Sequence, residues 1–362
     1  MTLIIDNYAV AKLITAGGVV AALDTAYRAH AAGQDVSAPR LDFQTSENPR
    51  GEAYQLGISV GLGSAGYGCI RIKSDMVFQT VLNGQKRKQK YCVEPGTYMG
   101  LLMVFDMASG ALRAIIHDGL IQQMRVGADS ALGVRYLARP DARQLGILGA
   151  GGMAAMHLDS IAQVRDLEHV RVFSPTVANR EAFVAAARQR HGFVIEAVDS
   201  PDAVFDGADM VAACTNAIGP VVPGALLRPG MHVTCIGGML DTDANAAVDV
   251  GLRFGTADGP TEVADWTVED ECLSFVGNGQ KSGHGGTRRF HDIPRDRRVM
   301  FAELLADPDR GRQSPKQITF SERGNIHGVQ FASLAGAIYE SAQAAGLGVP
   351  LDDGLFLQNI RN

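Results

Sequence analysis

The feature that most constrains this chain is a glycine turn placed between a strand and a helix. Gly149-Ala150-Gly151-Gly152-Met153-Ala154 follows 144–148, a short apolar run of strand character. It opens 153–164, where apolar residues at 154, 158, 161 and 162 recur at helical spacing. Gly149 permits the tight turn, Gly151 lets backbone approach a diphosphate, and Ala154 lets the helix pack closely. The phosphates would then meet the helix N-terminus. A second stretch with the same glycine spacing, Gly61-Leu-Gly63-Ser-Ala-Gly66, is followed by 67–73, which alternates with period two, so it reads as a loop between strands.

From 149 onward strands and helices alternate: strand 169–174, helix 179–190, strand 193–198, a short helix near 201–206, and strands 209–214, 232–237 and 252–257. This order predicts a parallel sheet with right-handed crossovers, covered on both faces, in a doubly wound α/β domain over 128–318. The first 127 residues read as α+β. A helical pattern over 10–32 precedes short strands, among them a hairpin of 101–106 and 112–116 joined by Met107-Ala108-Ser109-Gly110. The segment 328–346 reads as one long helix with Phe331, Leu334, Ile338 and Ala342 on a face, returning to the first domain. The Gly-, Lys- and Arg-rich 278–298 reads as a mobile surface loop or a lid.

Composition sets the bounds. At 362 residues the chain exceeds the ~250–300 at which a single core stops growing. Lys+Arg number 33 against 39 Asp+Glu, a net −6 with no long basic run, which argues against nucleic acid or an anionic membrane as partner and favours a small molecule. Five cysteines without a C-x-x-C pair and nine dispersed histidines without H-E-x-x-H suggest neither a disulfide framework nor a metal site. Ser64 lacks the glycine two residues before it that a nucleophile elbow requires. An acid at Asp6 and the lack of any apolar run of about 18 residues point to a cytoplasmic, non-membrane protein.

The chemistry-bearing positions divide between the two parts. At the end of the second strand, Phe173-Ser174-Pro175-Thr176 and then Arg180 stand where an NAD-preferring site usually places a carboxylate. Hydroxyls with a guanidinium suit a 2′-phosphate, favouring NADP(H), with NAD(H) the alternative. Thr215-Asn216 and Ile236-Gly237 lie at carboxyl strand ends, where the ligand crevice of such a sheet opens. Outside that domain, Arg40, Lys73 and Arg125 sit beside apolar or small residues. A site for an amino or imino acid needs a fork for the carboxylate and an acid–base near the nitrogen, which arginine and lysine provide.

Several stretches carry a resemblance. Pro39-Arg40, the strand ending at Lys73, Gly100–Asp106 with Ser109-Gly110, Met124-Arg125-Val126-Gly127-Ala128-Asp129-Ser130-Ala131 leading into Tyr136-Leu137-Ala138-Arg139, and the glycine turn occur in the order found in the ornithine cyclodeaminase/mu-crystallin family. The resemblance implies a Rossmann-type domain over 128–318 and a discontinuous substrate-binding and dimerisation domain of 1–127 and 319–362, pairing as a homodimer through its sheet. It also implies that Arg40, Lys73 and Arg125 hold the substrate carboxylate, with Lys73 catalytic beside the reacting carbon and nitrogen. By the same resemblance Thr97, Gly152, Met153, Ser174, Thr215 and Val233 to Ile236 line the cofactor, joining Arg125 and, from the glycine turn and strand ends, Gly149, Gly151, Ala154, Thr176, Arg180, Asn216 and Gly237.

Departures from the family weigh as much. True cyclodeaminases carry a catalytic aspartate after the paired glycines of the fifth strand, whereas Gly237-Gly238 is followed here by Met239, and a thioether exchanges no proton. Asp241 and Asp243 read as turn or cap residues. Ser74-Asp75 replaces the family's aromatic residue, and Glu322-Arg323-Gly324-Asn325 its Ser-Val-Gly; His327 reads as a capping or packing residue. The expected activity is therefore that of an NAD(P)H-dependent oxidoreductase on the C–N bond of a small imino or amino acid, of ketimine reductase or amino-acid dehydrogenase type. The alternatives are a cyclodeaminase-type lyase with bound NAD and a non-enzymatic mu-crystallin-like binding protein.

Overall fold

The computed structural model describes residues 1–360 apart from 83, 258, 260–271, 278–282, 286–291, 323 and 359. Strand β1 (Thr2–Ile5) leads into helix α1 (Asn7–Leu13), which Asp6 caps by accepting from the Ala9 N–H at 2.8 Å. The helical pattern expected over 10–32 is interrupted. Ile14 and Thr15 are extended, and the Thr15 hydroxyl accepts from Gly18 N–H at 3.1 Å to start α2 (Ala16–Ala31). Strands β2 (Val36–Ser37), β3 (Arg40–Gln44), β4 (Ala53–Leu62), β5 (Tyr67–Leu82), β6 (Gln85–Tyr91), β7 (Met99–Asp106) and β8 (Leu112–His117) follow. Gly61–Gly66 turns β4 into β5, as expected, and β7–β8 is the expected hairpin.

Helix α3 (Gly119–Leu137) crosses to the second sheet. The chain then runs through β9 (Gln144–Leu148), α4 (Gly152–Ile161), β10 (His169–Phe173), α5 (Val177–Arg188), β11 (Val194–Ala197), β12 (Met210–Cys214), β13 (Pro220–Val222), β14 (His232–Gly237), β15 (Met239–Leu240), α6 (Thr242–Ala247) and β16 (Val250–Arg253), with β13 and β15 paired to each other outside that sheet. Then come β17 (Cys272–Val276), β18 (Gly283–Gly285), β19 (Arg298–Met300), α7 (Phe301–Ala306), β20 (Thr319–Glu322), α8 (His327–Ala345) and β21 (Val349–Leu351). The expected strand over 252–257 ends at Arg253, and α5 sits two residues earlier than expected. Much of the 278–298 segment read as a loop or lid lies outside the described residues.

The eight-stranded sheet runs β11-β10-β9-β12-β14-β20-β16-β19 with every pairing parallel. Its order reverses between β9 and β12, the switch point at which such sheets open a crevice. One face packs through Leu145, Ile147 and Val172, the other through Val211, Val233 and Phe320, all buried, so these strands read as continuous apolar runs. The other sheet runs β18-β17-β3-β4-β5-β7-β8-β1-β21, with β2 on β4 and β6 on β5. Three strands therefore stand apart from the expected division: β20 lies in the parallel sheet although 319 is expected to begin the first domain's second part, and β17, paired with β3, and β18, paired with β17, lie in the first sheet although 128–318 is expected to be nucleotide domain. Helix α8 returns to the first sheet as expected, its Gly328 backbone against Gly61, and ends at Gly346 with φ 63°.

Candidate functional site

Between the carboxyl ends of the parallel sheet and the inner face of β5 lies a cavity of about 1180 Å3. Gly149, at the end of β9, has φ 119°, and a Cβ there would stand 2.3 Å from the Cys214 carbonyl oxygen, so only glycine fits the turn. A Cβ at Gly151 would meet nothing within 4 Å, which leaves the backbone at the start of α4 open to the cavity. That opening suits a diphosphate at a helix N-terminus. Gly152, Met153, Ser174, Thr215, Asn216 and Ile236 line the same cavity. Ala154 is fully buried and serves packing, and Gly237 abuts the Thr215 carbonyl. The Gly turn residues and strand ends thus converge on one crevice.

Other expected cofactor residues are placed differently. The Thr97 hydroxyl turns into its own loop, donating to the Cys92 and Glu94 carbonyls, and Thr97 does not line the cavity, whereas Tyr98 does. Thr176 is exposed at the N-cap of α5, and Val233 is buried in the core. Arg180 is buried, donating to the Asp199 carboxylate and, at 3.3 Å, to the Ser174 carbonyl; the cavity wall there is Ser174, Pro175 and Asn179.

On the opposite wall, period two places Arg71, Lys73 and Asp75 of β5 on one face, toward the cleft. Lys73 Nζ donates to Gln55 Oε1 at 3.2 Å and lies 3.7 Å from Asp75 Oδ2. Gly57 opposite it has no side chain because a Cβ would fall 2.3 Å from Lys73 Cε. Burial lowers the Lys73 pKa to about 8; Asp42 and Asp75 oppose that shift, while Arg40 and Lys90 add to it. Arg71 donates twice to Asp118 Oδ2, at 2.7 and 2.6 Å, and its guanidinium lies 5.1 Å from the Phe331 ring centre.

Of the three cations expected to grip the substrate, only Lys73 reaches the cavity wall. Arg40 is turned to Asp42, donating to one oxygen at 3.0 and 2.6 Å. Arg125 is 2% exposed and stands behind Gln122, donating to its Oε1 at 3.2 and 3.0 Å and also to Gln330. The wall instead holds Arg71, Asp118 and Gln122, with Arg87, Lys88 and Lys90 from β6. Arg71 was within reach of sequence reasoning, since it precedes Lys73 by two residues in a strand.

The departures resolve structurally. Met239 starts β15 against Pro220, and Asp241 caps α6, accepting from Ala244 N–H at 2.7 Å and Gly224 N–H at 2.9 Å. Glu322 is buried against Arg253 at 3.2 Å, so this departure belongs to the parallel sheet and does not shape the pocket wall. His327 is buried at the first turn of α8.

The family model of the ornithine cyclodeaminase/mu-crystallin family matches residues 74–345. The chain belongs to this family. A Δ1-pyrroline-2-carboxylate reductase of Paracoccus denitrificans is 37% identical over 142 residues, 39% of this chain and 45% of that protein. An uncharacterized cyclodeaminase of Sinorhizobium fredii is 26% identical over 69% of this chain and 72% of its own length. The chain thus spans less than half the length of some curated relatives it matches, such as the Paracoccus reductase at 45%. The fold is that of the Thermococcus litoralis Δ1-pyrroline-2-carboxylate reductase solved with NADH and L-proline. The TM-score is 0.73 at 20% identity, covering 97% of this chain and 100% of that one.

Proposed function

We propose that this family member is a nicotinamide-dependent reductase of a small imino acid, working on its C–N bond. The observation that carries the reading is Lys73, its side chain 15% exposed and facing the cavity that the glycine turn also lines. When bound, the dinucleotide supplies the hydride that turns a C=N carbon into CH. The nitrogen must gain a proton in the same conversion. Lys73 can hold that proton: with its pKa brought to about 8 it is charged at neutral pH yet releases its proton more readily than a solvated lysine. Gln55 and Asp75 orient the ammonium, and Arg71, fixed by Asp118, offers a positive face to a carboxylate. Arg125, locked between Gln122 and Gln330, acts as a positioning residue for Gln122 at the wall. The names of the pyrroline-carboxylate reductases among the relatives support this direction, and Met239 in place of an acid disfavours cyclodeamination.

The same reading includes a preference for NADP(H). Arg180 is engaged by Asp199, but Asp199 is 98% exposed, so this ion pair is weak and a 2′-phosphate can displace it. It also includes a cytoplasmic homodimer. The outer face of the first sheet presents Phe43, Tyr54, Leu62 and Phe275, each 37–42% exposed, with half-buried Leu56, Ile58, Ile70 and Ile72 between them. An apolar patch of that breadth is a surface for a second copy.

The test is oxidation of NADPH and NADH followed with cyclic imino acids, and with 2-oxo acids plus amines. Turnover with consumption of one cofactor per reduced C=N is expected. No turnover while calorimetry shows bound dinucleotide removes the reading, and ammonia release without net cofactor consumption replaces it with the lyase.

A further inference from the structure

The β5–β6 hairpin changes the charge of the site. Strand β6 carries Lys86, Arg87, Lys88 and Lys90, and it pairs with β5 along its length. Pairing of Lys88 with Gln79 and Lys90 with Val77 puts both lysines on the face of β5 that carries Lys73 and Asp75. At its other edge, Arg87 makes a backbone bridge to Ala217, just past the β12 strand end, so the hairpin spans the cleft from one sheet to the other. Arg87, Lys88 and Lys90 line the cavity with Arg71 and Lys73.

Charge balance then matters. Asp118 is taken by Arg71, Asp42 by Arg40, and Asp75 lies 3.4 Å from Lys90 and 3.7 Å from Lys73. Lys88 shares Gln55 with Lys73, its Nζ 3.4 Å from Oε1, and the Arg87 Nε is shielded from solvent with no hydrogen-bond partner among the described residues. One substrate carboxylate would be met by Lys73 and Arg71. The positive charge on β6 remains.

We propose that the β5–β6 hairpin forms a second anion site, with Lys88 as its main donor and with Lys90 and Arg87, which pairs with Thr80 on the other face of the strand, at its rim, and that the substrate is a dicarboxylic imino acid. One carboxylate lies beside the C=N carbon and the other at the far end of the side chain or of the nitrogen substituent. This inference rests on the imino-acid reductase reading, and its reaction is the same: one hydride to carbon, one proton to nitrogen. Charged hydrogen bonds in a partly desolvated pocket exceed those at a surface, which is why a second carboxylate would be selected and not merely tolerated.

The experiment compares kcat/KM for oxaloacetate and 2-oxoglutarate with that for pyruvate and 2-oxobutanoate, each with an amine, in the full-length protein and in Lys88→Gln and Arg87→Gln. The expected result is a preference for the dicarboxylic partners that Lys88→Gln reduces about tenfold, ~1.4 kcal/mol, and that Arg87→Gln reduces by less. Equal or better use of monocarboxylic partners by the unaltered protein overturns the proposal, as does a rise in KM for the dinucleotide alone, which would assign these cations to its phosphates. A second arm needs no turnover: in the presence of oxidised cofactor, aspartate or glutamate should raise the melting temperature more than alanine or norvaline, and Lys88→Gln should erase the difference. Turnover of monocarboxylic partners without that difference leaves the reductase reading standing and removes the second site. Silence of all substrates alongside a preserved dicarboxylate shift removes the reductase reading and keeps the site.

Discussion

Lys73 concentrates the chemistry and also a stability cost. Its pKa is lowered from 10.5 to about 8, chiefly by burial, so the folded protein binds that proton less tightly than the unfolded chain does. Unfolding takes up protons between those values; the penalty is full below pH 8 and is relieved as pH rises toward 10.5. Lys73→Met is therefore expected to raise the urea midpoint at pH 7 while lowering kcat/KM by about 10²–10⁴, the usual worth of a positioned acid–base. A variant that is less stable at pH 7 would contradict the burial argument. If Lys73 delivers the proton, kcat/KM should fall as pH rises through about 8. For the cofactor, Arg180→Ala should raise KM for NADPH more than for NADH, and an equal change in both would assign Arg180 to α5 alone. Lys73 was marked by the family resemblance, at the end of an alternating 67–73 that in the structure runs on to Leu82. The pairing of Arg40 with Asp42 and of Arg125 with Gln122 was not, because both depend on side-chain directions inside the fold.

Periodicity predicts most elements here and misses a boundary where a side-chain cap decides it. The break between α1 and α2 hangs on the Thr15 hydroxyl, whereas the apolar spacing runs straight through it. Within the glycine turn, two substitutions should separate fold from function. Gly149→Ala meets both a strained φ and the Cys214 carbonyl, a cost of about 1–3 kcal/mol or more, visible as a lower melting temperature. Gly151→Ala points its methyl into the open cradle, so the free protein should melt nearly unchanged while dinucleotide affinity, measured by calorimetry, falls at least about tenfold. Equal melting temperatures for the two would show that the turn tolerates a side chain. Between β16 and β20, Arg253 faces Glu322 in a fully buried pair. Glu322→Ala should cost about 3–5 kcal/mol in chemical denaturation, since it strips a buried charge of its partner.

At the scale of the molecule, two sheets share one cleft, and each presents to it what the other lacks. The parallel sheet brings open backbone at a helix N-terminus; the first sheet brings cations on a strand face. Its outer face exposes Phe43, Tyr54, Leu62 and Phe275. Ile58→Glu on that face should yield a monomer by sedimentation velocity, and an unchanged sedimentation coefficient at dimer mass would place the interface elsewhere. If the hairpin bridge at Arg87–Ala217 holds the lobes together, cofactor and substrate enter a site already spanned by backbone.

Local pattern alone established the glycine turn, the alternation of strands and helices after it, and the returning C-terminal helix, because each depends on residues a few positions apart. Tertiary structure decided which sheet received β17 and β20, which cations face the cleft, and that a lysine-rich strand closes over it. Those outcomes depend on strands brought together from distant parts of the chain, where pairing and burial, not spacing, choose each side chain's neighbours.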